Sequence, residues 1–291
     1  MRMRFFTICI SFTLLILSGC VKKDQLDPRF NPNCRVTSFT SSDPLPFRTT
    51  YQKTYDSRGL LTHVNTRLRQ VYNDLTEYDL NISYPSLNTA KLMGTIKELT
   101  IYNEDGEILP APIVKSTQSV VFEARFDPMT HYFQKLINKA NNHTEIEFVY
   151  KQGKFSRINL DFGYLDVKLD KNGNILSIRT ENHYGLDYTY SDRGVGKNLV
   201  YEPTESSINY FYHLVEVLNW APTQPNRERL TLSTSWGHAD GAPDSEDYYK
   251  QDFTYYHRYD NKGNLVGISY KPDWSAFYTN TFSCKNTKLV K

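Results

Sequence analysis

Residues 145–160 read Glu145-Ile146-Glu147-Phe148-Val149-Tyr150-Lys151-Gln152-Gly153-Lys154-Phe155-Ser156-Arg157-Ile158-Asn159-Leu160. Ile146, Phe148 and Tyr150 recur with period two, the spacing of a strand that buries one face and wets the other. Gln152-Gly153 interrupts the run, and glycine adopts positive φ without a Cβ clash. Phe155, Ile158 and Leu160 then roughly continue the pattern on a second strand. The segment is a β-hairpin read from its own residues.

The same theme recurs on both sides. Polar turns with glycine stand at Tyr55-Asp56-Ser57-Arg58-Gly59-Leu60, at Tyr102-Asn103-Glu104-Asp105-Gly106 and at Leu169-Asp170-Lys171-Asn172-Gly173-Asn174. Further copies stand at Tyr190-Ser191-Asp192-Arg193-Gly194 and Tyr259-Asp260-Asn261-Lys262-Gly263-Asn264. Asp or Asn ahead of the glycine bonds the turn backbone. Val167 and Leu169 lead into Ile175 and Ile178, and Leu265, Ile268 and Tyr270 follow the last turn. The 22 tyrosines and 16 phenylalanines suit pleated, half-buried surfaces. One segment departs from the theme. Ile208, Phe211, Tyr212, Leu214, Val215, Val217, Leu218 and Trp220 have helical spacing, Ser and Thr at 204–207 can cap them, and Pro222 stops them. The expected fold is all-β: an antiparallel meander of hairpins curling into a barrel or half-barrel. One amphipathic helix near 205–221 would pack on the sheet or plug its open side.

The first twenty residues are of another kind. Arg2 and Arg4 precede an apolar run, Phe5 to Leu17, and Ser18-Gly19 leads to Cys20. That order is an export signal, and the run is short against the roughly 20 residues of a spanning helix. Leu17-Ser18-Gly19-Cys20 resembles a bacterial lipobox, which implies that Cys20 receives a diacylglycerol and becomes the new N-terminus. The expected organisation is a signal peptide over 1–19, a lipidated Cys20 with a polar tether over 20–35, and a single β domain over 36–291. The expected place is the bacterial envelope, held by lipid, at the outer membrane.

Lys and Arg number 34 against 32 Asp and Glu, and loss of Arg2 and Arg4 with the leader balances the two at 32. A neutral chain without a basic cluster gives no reason to expect nucleic acid as a partner. Of four cysteines, Cys9 leaves with the leader and Cys20 takes the lipid, so Cys34 and Cys284 remain. One reading joins them in a disulfide, suited to an oxidising compartment and worth roughly 4–5 kcal/mol in the chain-entropy account. The other leaves two unrelated buried thiols.

The lipobox, the serial Tyr-Asp-x-x-Gly hairpins, the late helix ending Leu218-Asn219-Trp220-Ala221-Pro222 and the closing Tyr259–Leu265 hairpin resemble an uncharacterised family of Bacteroidota lipoproteins with YD-type β-hairpins. The resemblance covers most of residues 36–284. It implies a porin-like antiparallel β fold and brings no functional residues with it.

Motifs for chemistry are absent. The chain has no Gly-x-Ser-x-Gly elbow, His-Glu-x-x-His or Cys-x-x-Cys. Gly194-Val195-Gly196-Lys197 lacks phosphate-loop spacing and reads as a loop. Asp170 to Glu181 imitates a calcium loop, but Ile175 stands where glycine is needed, so a hairpin turn is the better reading. The seven histidines are scattered and suggest no metal centre. No catalytic residue, cofactor or metal is expected. The candidate ligand loop is Trp236 to Asp247, where Trp236, His238, Asp240 and Asp244 set an aromatic ring beside an imidazole and carboxylates. A long solvated connection is the plainer reading of the same residues. Three functions remain in order: a non-catalytic binding or assembly lipoprotein, a carrier of an apolar ligand such as lipid, and a glycan-active hydrolase using Asp240, Asp244 and Glu246. The expected partners are the membrane through Cys20 and an envelope protein, glycan or lipid.

Overall fold

The computed structural model describes residues 34–41, 48–69, 75–103, 105–161, 163–170, 175–180, 184–191, 210–218, 220–221, 229–238, 248–259, 265–269, 271–275 and 277–284. The leader, Cys20 and the tether up to residue 33 lie outside them, as do the turns expected at 171–174, 192–194 and 260–264.

The strands are β1 (Cys34–Ser41), β2 (Thr50–Tyr55), β3 (Leu61–Arg69), β4 (Leu75–Ser86), β5 (Thr89–Tyr102), β6 (Ile108–Phe126), β7 (Phe133–Asn138), β8 (His143–Lys151) and β9 (Lys154–Leu160). They continue as β10 (Gly163–Leu169), β11 (Ile175–Arg179), β12 (Tyr184–Ser191), β13 (Arg229–His238), β14 (Tyr248–Thr254), β15 (Tyr256–Tyr259), β16 (Leu265–Ser269) and β17 (Phe277–Cys284). One helix, α1 (Tyr210–Val217), lies between β12 and β13. β1 starts two residues ahead of the expected domain boundary.

The described ladders are antiparallel and join neighbours in sequence from β1 through β14 and from β15 through β17. β1 also pairs with β17, so the first and last strands meet. No ladder is described between β14 and β15, which flank Tyr255. β14 pairs with β13 and β15 with β16. The sheet is therefore a curled meander, not a closed barrel.

The recurring hairpin has one geometry. Tyr55 pairs with Leu61, Tyr150 with Phe155, Leu169 with Ile175, and Tyr259 with Leu265, and a register shift follows each pair. One extra residue on the returning strand is a β-bulge, which bends the strand and resets which face its side chains take. Core residues after the turn therefore stand three apart rather than two. Leu61 and Val64 are both buried, and so are Phe155 and Ile158. The Ser156 hydroxyl donates to the Val149 carbonyl at 3.0 Å across that shift. The turns are built as their residues dictate. The Asp56 carboxylate accepts the amides of Gly59 at 2.7 Å and Leu60 at 2.9 Å, and Gly59 has φ of 95°. Gln152 and Gly153 both take positive φ, the mark of a tight hairpin matched to strand twist.

β12 pairs with β13 rather than with a strand directly after Gly194: Tyr190 faces Leu230, and Ser191 faces Arg229. Between them in sequence the described residues include α1, and the turn expected at 192–194 lies outside them.

The helix fills the inner face. Phe211, Tyr212, Leu214, Val215, Val217, Leu218 and Trp220 are all buried. Phe211 meets Phe122 edge-on at 5.8 Å, Tyr212 lies 6.0 Å from Phe148, and Trp220 meets Phe126 edge-on at 5.2 Å. A helix apolar on nearly all sides is stable only when enclosed, and here β6, β7 and β8 supply the partners. The expected helix is present over 210–217, and residues 205–209 lie outside the described set.

Candidate functional site

The predicted ligand loop divides. Trp236 and His238 belong to β13, where the backbone register sets Trp236 opposite Gly185 and Lys250, and His238 opposite Tyr248. Asp240, Asp244 and Glu246 lie outside the described residues. Trp236 and His238 thus lie on a strand rather than in a loop.

A cluster that sequence spacing does not reveal forms at the β8–β9 end. His143 opens β8, Glu145 follows two residues on, and Asp161 comes just after β9. The register Ile146–Leu160 brings them together. Their ligand atoms lie within 4.8 Å of one another. His143 Nε2 is paired with Asp161 Oδ1, and Glu145 Oε1 accepts from Asn138 Nδ2 at 2.9 Å. One imidazole and two carboxylates are donors that suit a divalent cation. They are equally satisfied as an exposed ion pair with an amide neighbour. A histidine 18 residues from an aspartate carries no local signal of this contact.

Lys53 is the second feature that sequence reading missed. It sits between Tyr51 and Tyr55 on an inward-facing period of β2 and is only 5% exposed. Its Nζ lies 4.6 Å from the centre of the Tyr51 ring. Burial disfavours the ammonium and pushes its pKa down to about 7. The signal was there in the alternation Tyr51-Gln52-Lys53-Thr54-Tyr55, with lysine on the apolar period.

The outer face has the opposite character. Arg67, Glu77 and Lys97 are direct partners across β3, β4 and β5. Glu77 accepts from Arg67 at 3.0 Å and Lys97 at 2.9 Å. His63 pairs with Asp79, Arg125 with Glu123, Arg157 with Asp166 and Arg179 with Asp187. These residues alternate along the strands with buried neighbours, so ion pairs run around the outside of the curl.

The β5–β6 hairpin breaks this surface. Among the described residues, β6 pairs with β5 from Ile108 onward but with β7 only from Phe122. Residues 108–120 thus have a described strand on one edge only. Ile108, Ile113 and Val114 on this stretch are 57%, 55% and 50% exposed. Pro110 and Pro112 and the nearby Lys115 are residues that blunt an open edge.

No protein-family model matches the chain, and no curated protein matches it. Among solved structures it is similar to a porin-like protein from Bacteroides uniformis, with 13% identity over 89% of this chain and 100% of that one, at a TM-score of 0.39. It is also similar to a porin-like protein from Bacteroides vulgatus, with 11% identity over 84% of this chain and 97% of that one, at a TM-score of 0.32. The antiparallel β fold stands on the chain's own strand pairings. Among the described residues no helix is long and apolar enough to cross a membrane.

Proposed function

We propose that this chain is a lipid-anchored protein of the bacterial envelope, held at the outer membrane through Cys20, whose β domain is a non-catalytic binding or assembly module standing in water. The observation that carries the reading is the polarity of the sheet. A lipid-facing barrel wall needs an outward apolar band, whereas the outward positions here hold Arg67, Glu77, Lys97, Glu123, Arg125, Arg157 and Asp166 in ion pairs. The large apolar core instead lies inward, where α1 occupies the space beside β6–β8, and Leu75, Leu99 and Ile101 form only a small second cluster. That packing argues against a pore and against a carrier cavity at the same place.

The surface best suited to a partner is the outer part of the β5–β6 hairpin. It joins exposed Ile108, Ile113 and Val114 to a strand edge whose second side has no described partner. Pro110, Pro112 and Lys115 blunt the edge against backbone pairing, so another envelope protein docks through the exposed Ile108, Ile113 and Val114 side chains. The test is a photo-crosslinking residue at Ile113, with Lys168 as an exposed control, in the full chain in its own membrane. A discrete protein adduct from position 113 alone supports the reading. Adducts at both positions or at neither overturn this surface, and a small bound mass in native mass spectrometry would restore the carrier. Loss of fatty-acid labelling in Cys20→Ala checks the anchor separately.

A further inference from the structure

The β1–β17 ladder begins with Cys34 directly opposite Cys284, followed by Arg35 opposite Ser283 and Val36 opposite Phe282. The two cysteines stand 250 positions apart, one opening the first strand and the other ending the last. Opposed residues of an antiparallel pair have Cα atoms about 4.5–5.5 Å apart and share one face of the sheet. A disulfide spans Cα separations of roughly 4.4–6.8 Å. The backbone register therefore meets the separation requirement that sequence alone could not check.

We propose that Cys34 and Cys284 form a disulfide that clamps the first strand of the sheet to the last at the point where the tether enters the domain. The step is an exchange with an external disulfide oxidant. The thiolate of one cysteine attacks a sulfur of the oxidant and forms a mixed disulfide. The second thiolate then attacks the bonded protein sulfur and expels the oxidant as a dithiol, so two electrons and two protons leave the protein. The clamp has a mechanical consequence. A pull through the lipid and residues 21–33 reaches Cys34 before any other residue of the sheet. With the bond formed, the load passes covalently to β17 and does not peel β1 from its hydrogen bonds to β2 and β17.

The inference rests on the proposed envelope location only for its oxidising compartment. The test takes the full chain from its own membrane under acid quench, alkylates it with and without reductant, and maps peptides without reduction. The expected result is a Cys34–Cys284 linked peptide and alkylation of both residues only after reduction. Reduction should also lower the melting temperature of the wild type by about 5–15 °C and leave that of Cys34→Ser unchanged. Alkylation of both thiols without reductant in lipidated protein overturns the clamp and leaves the anchor standing. Protein without the lipid overturns the anchor instead. The alkylation readout needs no variant, so a poorly folding Cys34→Ser does not weaken it.

Discussion

Trp220 stacks on Phe133 with ring centroids 6.0 Å apart and planes 17° from parallel. The contact joins the segment just after α1 to the inner face of β7. Trp220 is 2% exposed, so truncation leaves a cavity that the sheet cannot close. Trp220→Ala is expected to cost about 3–5 kcal/mol, and Trp220→Phe much less. Urea unfolding checks this: the midpoint should fall for the alanine variant while the slope stays constant.

Gly94 is held by a close approach rather than by a left-handed backbone. A Cβ placed there would lie 1.8 Å from the carbonyl oxygen of Asp79 on the neighbouring strand. Backbone on both sides cannot yield cheaply, so Gly94→Ala should destabilise by at least about 1–3 kcal/mol. Gly106→Ala is the contrast. Its φ is +80° but its surroundings are open, so only the left-handed conformation costs, roughly 1–2 kcal/mol. A larger loss in thermal unfolding for Gly106→Ala than for Gly94→Ala would contradict this account.

Lys53 predicts a pH dependence. Its pKa is about 7 in the fold against 10.5 when solvated. Between these values the unfolded chain binds a proton that the folded chain does not, so stability from this group rises with pH across that window. Below about pH 7 the cost of the buried ammonium is at its largest. Lys53→Met should raise stability at pH 6 by a few kcal/mol, on the order of 3–5 at most, and flatten the slope up to pH 9.5. Denaturation midpoints of both proteins at pH 6, 7.5 and 9 make the comparison.

Glu77 predicts the opposite sign. Burial raises its carboxyl, but hydrogen bonds from Lys97 and Arg67 outweigh that and hold it below the usual carboxylate value. Its contribution is present above the unfolded pKa and fades as pH falls through the folded one. Glu77→Gln should cost about 1–2 kcal/mol at pH 7 and much less in acid, where the wild type has lost the same interaction. A variant equally destabilised at pH 7 and at pH 2.5 would show packing to be the cause.

Much of the local structure is legible in the chain. Asp56 to Gly59 and Lys151 to Lys154 form the turns their residues prescribe, because an aspartate in the first and a glycine in both bias the backbone without help from elsewhere. The offset from Leu61 to Val64 and from Phe155 to Ile158 is legible only afterwards. A spacing of three reads as a flaw in the strand period until the register exposes a bulge. Tyr190 to Gly194 matches the other turns in its residues, but the partner of β12 is β13, some 40 positions on, and only strand register shows that. His143 and Asp161, and the line Arg67–Glu77–Lys97, give no local signal. Each joins residues 10 to 20 positions apart, and only strand register sets them side by side.

The sequence by itself determined that the chain forms strands, where several of them turn, which positions along them are apolar, and that one segment is a helix. These follow from φ preference and period-two alternation, which act over a few residues. The tertiary structure alone decided that α1 lies inside the curl, that ion pairs line its outside, and that Cys34 stands opposite Cys284. Those outcomes depend on twist and bulges accumulated over many successive strands, and no short stretch of chain contains that sum.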